Sequence, residues 1–435
     1  MVTNAAPLTI MLSRDPLEMD PGLIALAVDG EPILALPDPL EIGQSFVNNI
    51  QAKYEAQVLD PVVTAVSQLP QDGKAADAGA AKTDSNTWTG PLSESSLSYT
   101  ALEAPRYHKL AASSTAQAPI YDKIAELSAT QVEEGEVTLK SHFNEILWTG
   151  QFSVGTPPQS LKLLFDTGSC DTWAKPDVFY PERSQTAIPT GNTFKLKYGD
   201  RSTAEGDVYR ETISVGGRTA FNQHFGVAKT FSSGNDGKEG IAGMSFSSIS
   251  RLGGPPFYQT IFDQGGMPEN VFGFGLWTSG ARLDLGAIPA RYKDKLVYSP
   301  VDDSKGWWST TFQITGLPGI QTGVIDTGTT LIVGPREAVR TIFKSQGIKV
   351  AEINRQIWGK YPVNRVPSIT LTFGGQNYTI GKEALSFVDK DGETTAGLIG
   401  ANIGIGSTWI IGGCFLQDVY AAFDVTQKKV GFTPK

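Results

Sequence analysis

The tripeptide Asp-Thr-Gly occurs twice in the sequence, at residues 166–168 and 326–328, and the residues around the two copies match as well. Each copy follows an apolar run and precedes a hydroxyl residue. A second apolar segment that contains glycine follows each copy, at residues 240–246 and 409–415. A single short motif often arises by chance, whereas a repeat with matching flanks indicates two structural units built alike. We therefore expect two similar lobes with a cleft between them.

The spacing of turn residues indicates that both lobes are built from β-strands. The chain has 435 residues, too many for one ordinary core, and its 47 glycines and 26 prolines supply many turns. From about residue 143, runs rich in β-branched and aromatic residues alternate with turns such as Gly216-Gly217 and Gly374-Gly375. The clearest helical pattern covers residues 336–344, which Pro335 opens. The sequence thus predicts an all-β, bilobal fold.

The N-terminal third of the chain differs in composition from the rest. Prolines interrupt short apolar runs up to about residue 70, and residues 72–118 are rich in Ala, Ser, Thr, Asp and Gly, which is typical of a linker. We predict three regions: an N-terminal pro-segment or linker-like region at 1–140, an N-terminal lobe at 141–295 and a C-terminal lobe at 296–435.

Charge and residue counts argue against several classes of protein. The net charge of -9 disfavours a nucleic-acid partner, which requires basic patches. Two cysteines, Cys170 and Cys414, allow one disulfide at most and are expected to be buried free thiols. The three histidines lack metal-ligand spacing, so neither a metal nor another cofactor is expected. No apolar run is long enough for a transmembrane helix, and residues 1–13 lack the basic region of a signal peptide.

Asp166 and Asp326 are the candidate catalytic residues. Two carboxylates within hydrogen-bond distance cannot both ionise readily, so one pKa rises and the pair holds one proton. The ionised member can remove a proton from water while the protonated member donates to a peptide carbonyl, which the water attacks. This chemistry requires no metal and no cofactor.

The residues after each aspartate are expected to support the pair. Gly168 and Gly328 would let the backbone bend so that its N–H groups point at the carboxylates. The hydroxyls of Ser169 and Thr329 can donate to the outer carboxylate oxygens and favour the charged form. The alternative is two ordinary hairpin turns, because Asp and Gly are common turn residues. Turn chemistry, however, requires neither the intervening threonine nor the second apolar segment of each half.

The chain from about residue 145 to 435 resembles the pepsin family of aspartic endopeptidases (peptidase family A1), and especially its fungal members. Residues 152–159 resemble the strand and turn before the family's first active-site loop, and residues 165–173 resemble that loop. Residues 198–206 resemble the family's flap. Residues 307–308, 371–376, 421–424 and 430–432 resemble strands of its C-terminal lobe.

The resemblance implies further roles. Thr167 and Thr327 would hydrogen-bond across the lobes and lock the two loops together. Tyr198 would lie on a mobile hairpin that closes over the substrate, and the indole of Trp173 would steady its hydroxyl.

Three further flap residues would contact the substrate: Gly199, Asp200 and Ser202. Asn377 begins the sequence Asn-Tyr-Thr, a candidate glycosylation site if the protein enters the secretory pathway.

Some positions depart from the family pattern. Arg201 replaces a glycine that is usual in the flap, and Gly413 stands where the family often has aspartate. The stretch between Trp173 and Tyr198 is short for the family, and the disulfide common in the C-terminal lobe of fungal relatives has no cysteines here. None of these changes removes a required catalytic group.

The resemblance implies an aspartic endopeptidase that acts on protein or peptide substrates at acid pH. It also implies a secreted or vacuolar monomer, made as a zymogen whose residues 1 to about 130 are removed. The basic cluster of Arg106, His108 and Lys109 is a candidate for the basic residue that lies near the dyad in the zymogens of this family. The alternative is a solvated charge group in a loop. One alternative is a hydrolase of this fold dedicated to one peptide or small metabolite. The other is a non-catalytic binding protein, which the intact motifs disfavour.

Overall fold

The computed structural model describes residues 134–142, 147–197, 203–232, 238–390 and 392–435. These residues form mainly short strands. The strands of the first half are β1 Glu136–Thr138, β2 Lys140–His142, β3 Leu147–Val154, β4 Gln159–Asp166, β5 Thr172–Ala174, β6 Ile188–Lys197, β7 Thr203–Val215, β8 Arg218–Phe231, β9 Gly240–Gly243, β10 Val271–Gly275 and β11 Arg282–Leu285.

The second half continues the same pattern. Its strands are β12 Val297–Pro300, β13 Ser309–Ile314, β14 Leu317–Ile325, β15 Ile332–Gly334, β16 Lys349–Ile353, β17 Gln356–Pro362, β18 Thr370–Phe373, β19 Gln376–Thr379, β20 Ser386–Lys390, β21 Glu393–Ala396, β22 Leu398–Gly400, β23 Trp409–Ile411, β24 Val419–Asp424 and β25 Lys429–Pro434.

Helices are few and short. The α-helices are α1 Phe257–Asp263, α2 Ala290–Lys293, α3 Arg336–Ser345, α4 Lys382–Leu385 and α5 Gly413–Leu416, and 3-10 turns occupy Pro181–Arg183 and Ser247–Ile249. The predicted helix at 336–344 is therefore confirmed to within one residue. It follows Pro335 and buries Val339, Ile342 and Phe343 on one face. Among the described residues, no helix has the length and apolar character needed to cross a membrane.

Each lobe has its own sheet, and the predicted bilobal all-β fold is confirmed. The N-terminal lobe contains an eight-stranded sheet in the order β2-β3-β4-β9-β5-β8-β7-β6. The C-terminal lobe contains an eleven-stranded sheet that includes β13 to β23. In β3, residues 151–154 alternate between exposed and buried, as expected where one face of a sheet packs on a core. The boundaries 141–295 and 296–435 remain predictions.

The internal repeat corresponds to one repeated arrangement of strands. β4, which ends at Asp166, pairs in parallel with β9, and Asp166 lies opposite Gly243. β14, which ends one residue before Asp326, pairs in parallel with β23, and Ile325 lies opposite Ile411. The second apolar segment of each half therefore lies beside the strand that carries the aspartate. The ends of β4 and β14, which lead to the two aspartates, therefore lie inside the protein.

A third sheet joins the two halves of the sequence. Its six strands run in the order β1-β11-β10-β24-β25-β12. β10 from the first half pairs with β24 from the second, and Phe272 stacks on Phe423 with ring centroids 4.9 Å apart. One buried apolar cluster accordingly includes residues of both halves, among them Phe165, Phe272, Trp308 and Phe423. The two Asp-Thr-Gly loops thus rest on a continuous core.

Candidate active site

The two aspartates lie at equivalent positions in the repeated arrangement. The side chains of Asp166 and Asp326 are buried, with 3% and 0% of their surface exposed. The backbone carbonyl of Asp166 accepts from the N–H of Met244 at 2.8 Å. The N–H of Asp326 donates to the carbonyl of Ile411 at 3.0 Å. Each aspartate is thus attached to the segment that carries the second apolar motif of its own half.

Both carboxylates receive the same set of local donors. The N–H of Gly168 donates to Asp166 Oδ1 at 2.9 Å, and Ser169 Oγ donates to Oδ2 at 2.5 Å. In the second loop, the N–H of Gly328 donates to Asp326 Oδ1 at 2.9 Å, and Thr329 Oγ1 donates to Oδ2 at 2.6 Å. Hydrogen bonds of this kind favour the ionised form of a carboxylate. The two carboxylates therefore have matching local donors.

The two threonines connect the loops to each other. Thr167 Oγ1 accepts from the N–H of Thr327 at 3.0 Å and donates to the carbonyl of Ile325 at 2.8 Å. Thr327 Oγ1 accepts from the N–H of Thr167 at 3.0 Å and donates to the carbonyl of Phe165 at 2.8 Å. All four bonds are buried, so water does not compete for them. They hold the backbone on either side of both aspartates in one relative position.

The second-loop glycine is required for space and not for a special backbone dihedral. Gly328 does not have a positive φ. A Cβ atom there would lie 2.3 Å from Asp166 Oδ1 and 2.5 Å from its Cγ. The carboxylate of one lobe therefore packs directly on the glycine that serves the carboxylate of the other. This contact brings the two acidic groups into one site.

A third carboxylate lies behind the first loop. Asp171 accepts from Ser250 Oγ at 2.7 Å and from the N–H groups of Arg251 at 2.8 Å and Leu252 at 3.2 Å. Burial raises the pKa of Asp171 above its ordinary value, and these hydrogen bonds oppose that rise. The sequence analysis did not identify this residue. A comparison of the two repeats could have found it, because Asp171 stands where the second loop has the apolar Leu331, and an aspartate at an apolar position indicates a specific role.

Both cysteines are free and buried, as predicted. Burial raises the pKa of Cys170 well above its usual value, and the neighbouring Asp171 contributes to the same shift. Burial also raises the pKa of Cys414. Neither thiol therefore ionises near neutral pH, and a nucleophilic role for them is disfavoured.

The remaining candidate residues are placed as follows. Trp173 is 1% exposed and packs against Phe194 and Phe231, with ring centroids 6.5 and 5.6 Å away. The flap residues Tyr198, Gly199, Asp200 and Ser202, together with Arg201, lie outside the described residues, as do Arg106, His108 and Lys109.

The candidate glycosylation site lies on an edge strand of the C-terminal sheet. Asn377 is on the exposed strand β19, where its amide oxygen accepts from Thr372 Oγ1 at 2.7 Å.

The sequence is similar to those of known aspartic proteases. The sequence profile of the family described as eukaryotic aspartyl protease matches residues 147–435. Secreted aspartyl protease 1 of Malassezia globosa is 30% identical over 321 residues, which cover 73% of this chain and 80% of that protein. The aspartic protease of Phaffia rhodozyma is 31% identical over 325 residues, covering 68% of this chain and 78% of that protein.

The similarity extends to pepsins in sequence and to a solved structure in fold. Pepsin A of Sus scrofa is 29% identical over 317 residues, covering 66% of this chain and 80% of that protein. The crystal structure of the aspartic proteinase from Irpex lacteus matches with a TM-score of 0.61 at 23% identity, covering 69% of this chain and 97% of that one.

The chain belongs to the eukaryotic aspartyl protease family. Its activity is that of a pepsin-like aspartic endopeptidase, a hydrolase of peptide bonds. The resemblance found in the sequence is thereby confirmed.

Proposed function

We propose that Asp166 and Asp326 form the catalytic pair of this endopeptidase and that they share one proton. The observation that supports this proposal is the matched environment of the two carboxylates. Each is buried and accepts from a backbone N–H and a hydroxyl, and Asp166 packs on the glycine that donates to Asp326. Like charges in such a site resist double ionisation, so one carboxyl keeps its proton over a wide acid range.

The reaction follows from this protonation state. The ionised carboxylate removes a proton from a bound water, and the protonated carboxyl donates to the oxygen of the scissile carbonyl. The water oxygen forms a bond to the carbonyl carbon and gives a gem-diol. The C–N bond then breaks as the carboxyl that took the water's proton passes it to the leaving nitrogen, and the other carboxylate takes back a hydroxyl proton, which leaves one proton on the pair. Gly168, Ser169, Gly328 and Thr329 keep the charged member in place through their hydrogen bonds. The Thr167–Thr327 bonds fix the distance between the two acids.

The setting of the reaction is also part of the proposal. We expect an extended protein or peptide substrate that binds along the cleft as an added strand, because backbone hydrogen bonding is the common way to hold an extended chain. Activity is expected at acid pH, where the pair holds one proton. We further propose a monomeric enzyme with no nucleic-acid partner that acts outside the cell or in the vacuole. Removal of residues 1 to about 130 would produce its mature form.

A peptide-library digestion tests the proposal. The purified full-length chain is incubated with the library between about pH 3 and pH 7, the range over which a carboxyl pair changes protonation, with and without pepstatin. Cleavage that pepstatin blocks is expected, and both Asp166→Asn and Asp326→Asn should abolish it. The matched control is Asp294→Asn, because Asp294 is an exposed aspartate outside the site. Equal activity of Asp326→Asn and Asp294→Asn would refute the assignment.

The same digestion distinguishes the alternatives. Cleavage of many unrelated library peptides would exclude an enzyme dedicated to one peptide. Cleavage of none, with retained binding of pepstatin, would identify a binding protein on this fold.

A further inference from the structure

Trp308 lies behind the catalytic loops and contacts the backbone next to both aspartates. Its indole Nε1–H donates to the carbonyl of Met244 at 2.9 Å. The N–H of Met244 in turn donates to the carbonyl of Asp166 at 2.8 Å. On the other side, the carbonyl of Trp308 accepts from the N–H of Ile325 at 3.1 Å, and Ile325 directly precedes Asp326. One residue therefore connects the backbone of Asp166 to the backbone that carries Asp326.

The neighbouring backbone strengthens this connection. The carbonyl of Gly306 accepts from Ser245 Oγ and from the N–H of Phe246. Residues 306–308, which we call the crossing segment, thus bind residues 244–246 at three points. The crossing segment also leads directly into β13, the strand that pairs with β14. A displacement of this segment would be transmitted to both catalytic loops.

The indole ring is held in a single orientation. Trp308 has no exposed surface. Phe246, Phe423 and Phe272 surround its ring, with centroids 4.6, 5.1 and 5.6 Å away. Water cannot replace the bond to Met244 in these surroundings, and a buried carbonyl that loses its donor is costly.

The internal repeat supplies a natural comparison in Trp148. The two tryptophans stand at the same distance before their aspartates, since 166 − 148 and 326 − 308 are both 18. Trp148 is also buried, at 2% exposure. Within the described part of the chain, however, its Nε1 has no hydrogen-bond partner. Its ring instead lies near Gly413, where a Cβ atom would be 3.5 Å from the ring. The same side chain is thus used for packing in one half and for packing plus a hydrogen bond in the other.

We propose that Trp308 is a positioning residue for the catalytic pair, acting through the hydrogen bond from its indole N–H to Met244. This inference rests on the proposed roles of Asp166 and Asp326. Without that bond, the carbonyl of Met244 has no other donor among the described residues, and the segment that holds Asp166 can move relative to the loop that holds Asp326. The two carboxyls then share their proton less well. Turnover falls, whereas substrate affinity is unaffected because Trp308 is buried away from the substrate.

The test compares two single variants of the full-length chain, Trp308→Phe and Trp148→Phe. Both keep an aromatic ring in the core, and only the first removes a hydrogen bond. We expect kcat of Trp308→Phe to fall about tenfold, the rate equivalent of one hydrogen bond, with KM unchanged. The bell-shaped dependence of its rate on pH should also become narrower. A weaker interaction between the two aspartates brings their apparent pKa values closer together. Trp148→Phe should keep both the width of the bell and kcat. Titration of active sites with pepstatin corrects for any unfolded fraction.

A second pair of variants separates the N–H from the shape of the ring. 3-Benzothienylalanine has nearly the shape of tryptophan but carries sulfur in place of the N–H. At position 308 it should reproduce the loss of kcat and the narrower bell, and at position 148 it should have no effect. Equal effects at the two positions, or a normal bell at 308, would overturn the proposal. So would a chain that fails to fold with the isostere at 308, because the bond would then serve folding and not catalysis. If the unaltered chain cleaves no peptide, the proposed function fails instead.

Discussion

Thr167→Val removes the hydroxyl that joins the first catalytic loop to the second. Valine has nearly the same shape, so packing is kept while two partners lose their bonds: the N–H of Thr327 and the carbonyl of Ile325. Thr167 is 0% exposed, so water does not reach either group. A buried group without a partner costs about 1–3 kcal/mol, and the variant should lose about 2–6 kcal/mol of unfolding free energy. That is a large part of the stability of an ordinary domain.

Urea unfolding is the assay, carried out in an Asp326→Asn background to prevent self-digestion. Thr167→Ser is the matched control, because it keeps the oxygen and loses one methyl group, at a cost of about 1 kcal/mol. Adding Thr327→Val to Thr167→Val should cost less than the sum of the single changes, since both act on the same two loops. A difference of less than about 0.5 kcal/mol between Thr167→Val and Thr167→Ser, the usual size of a surface effect, would refute this role of the Thr167 hydroxyl.

Three further predictions concern single residues. Gly328→Ala should abolish peptide cleavage, because the added methyl group would displace the carboxylate of Asp166. Gly413→Ala should retain cleavage, because its Cβ would have no neighbour nearer than 3.2 Å. Similar activities of the two variants would show that the space beside Gly328 does not matter. Burial raises the pKa of Asp171, so the folded state favours its neutral form. This contribution to stability is complete below the unfolded pKa of about 4 and is lost as pH rises through the folded pKa. Asp171→Asn should therefore flatten the decline of the thermal midpoint above about pH 4, and an unchanged slope would count against this account. Expression in a secretory host should attach a glycan at the exposed Asn377, seen as a mass shift that Asn377→Gln removes, and a chain without any shift would exclude this site.

The sequence predicted those parts of the site that depend on neighbours in the chain. Gly168 and Ser169 contact the carboxylate of Asp166 from two and three residues away, so the repeated motif contains most of its environment. The presence of two similar lobes also followed from the repeat, because similar sequence patterns fold alike. The strands between these segments were recognisable from their turns, because glycine pairs such as Gly374-Gly375 adopt positive φ.

The rest of the site depends on residues far apart in the sequence. Gly328 has to be glycine because Asp166 of the other lobe occupies the space beside it. Asp171 is held by donors about 80 residues further along, and the acceptor of the Trp308 indole is 64 residues away. Residue patterns carry no record of such contacts until the fold brings the segments together. The roles assigned to Tyr198 and the other flap residues stay predictions.

The six-stranded sheet affects how the protein is synthesised. β10 can complete its pairing only when β24 is available, and β24 is in turn paired with β25, which ends at Pro434. A ribosome makes β10 long before it makes these two strands, so a nascent N-terminal lobe has an unpaired strand edge until β24 has been made. The loop of Asp326 likewise waits for Ile411, to which its backbone is bonded. On the proposed roles of Asp166 and Asp326, the growing chain should therefore cleave no peptide before Ile411 has been made.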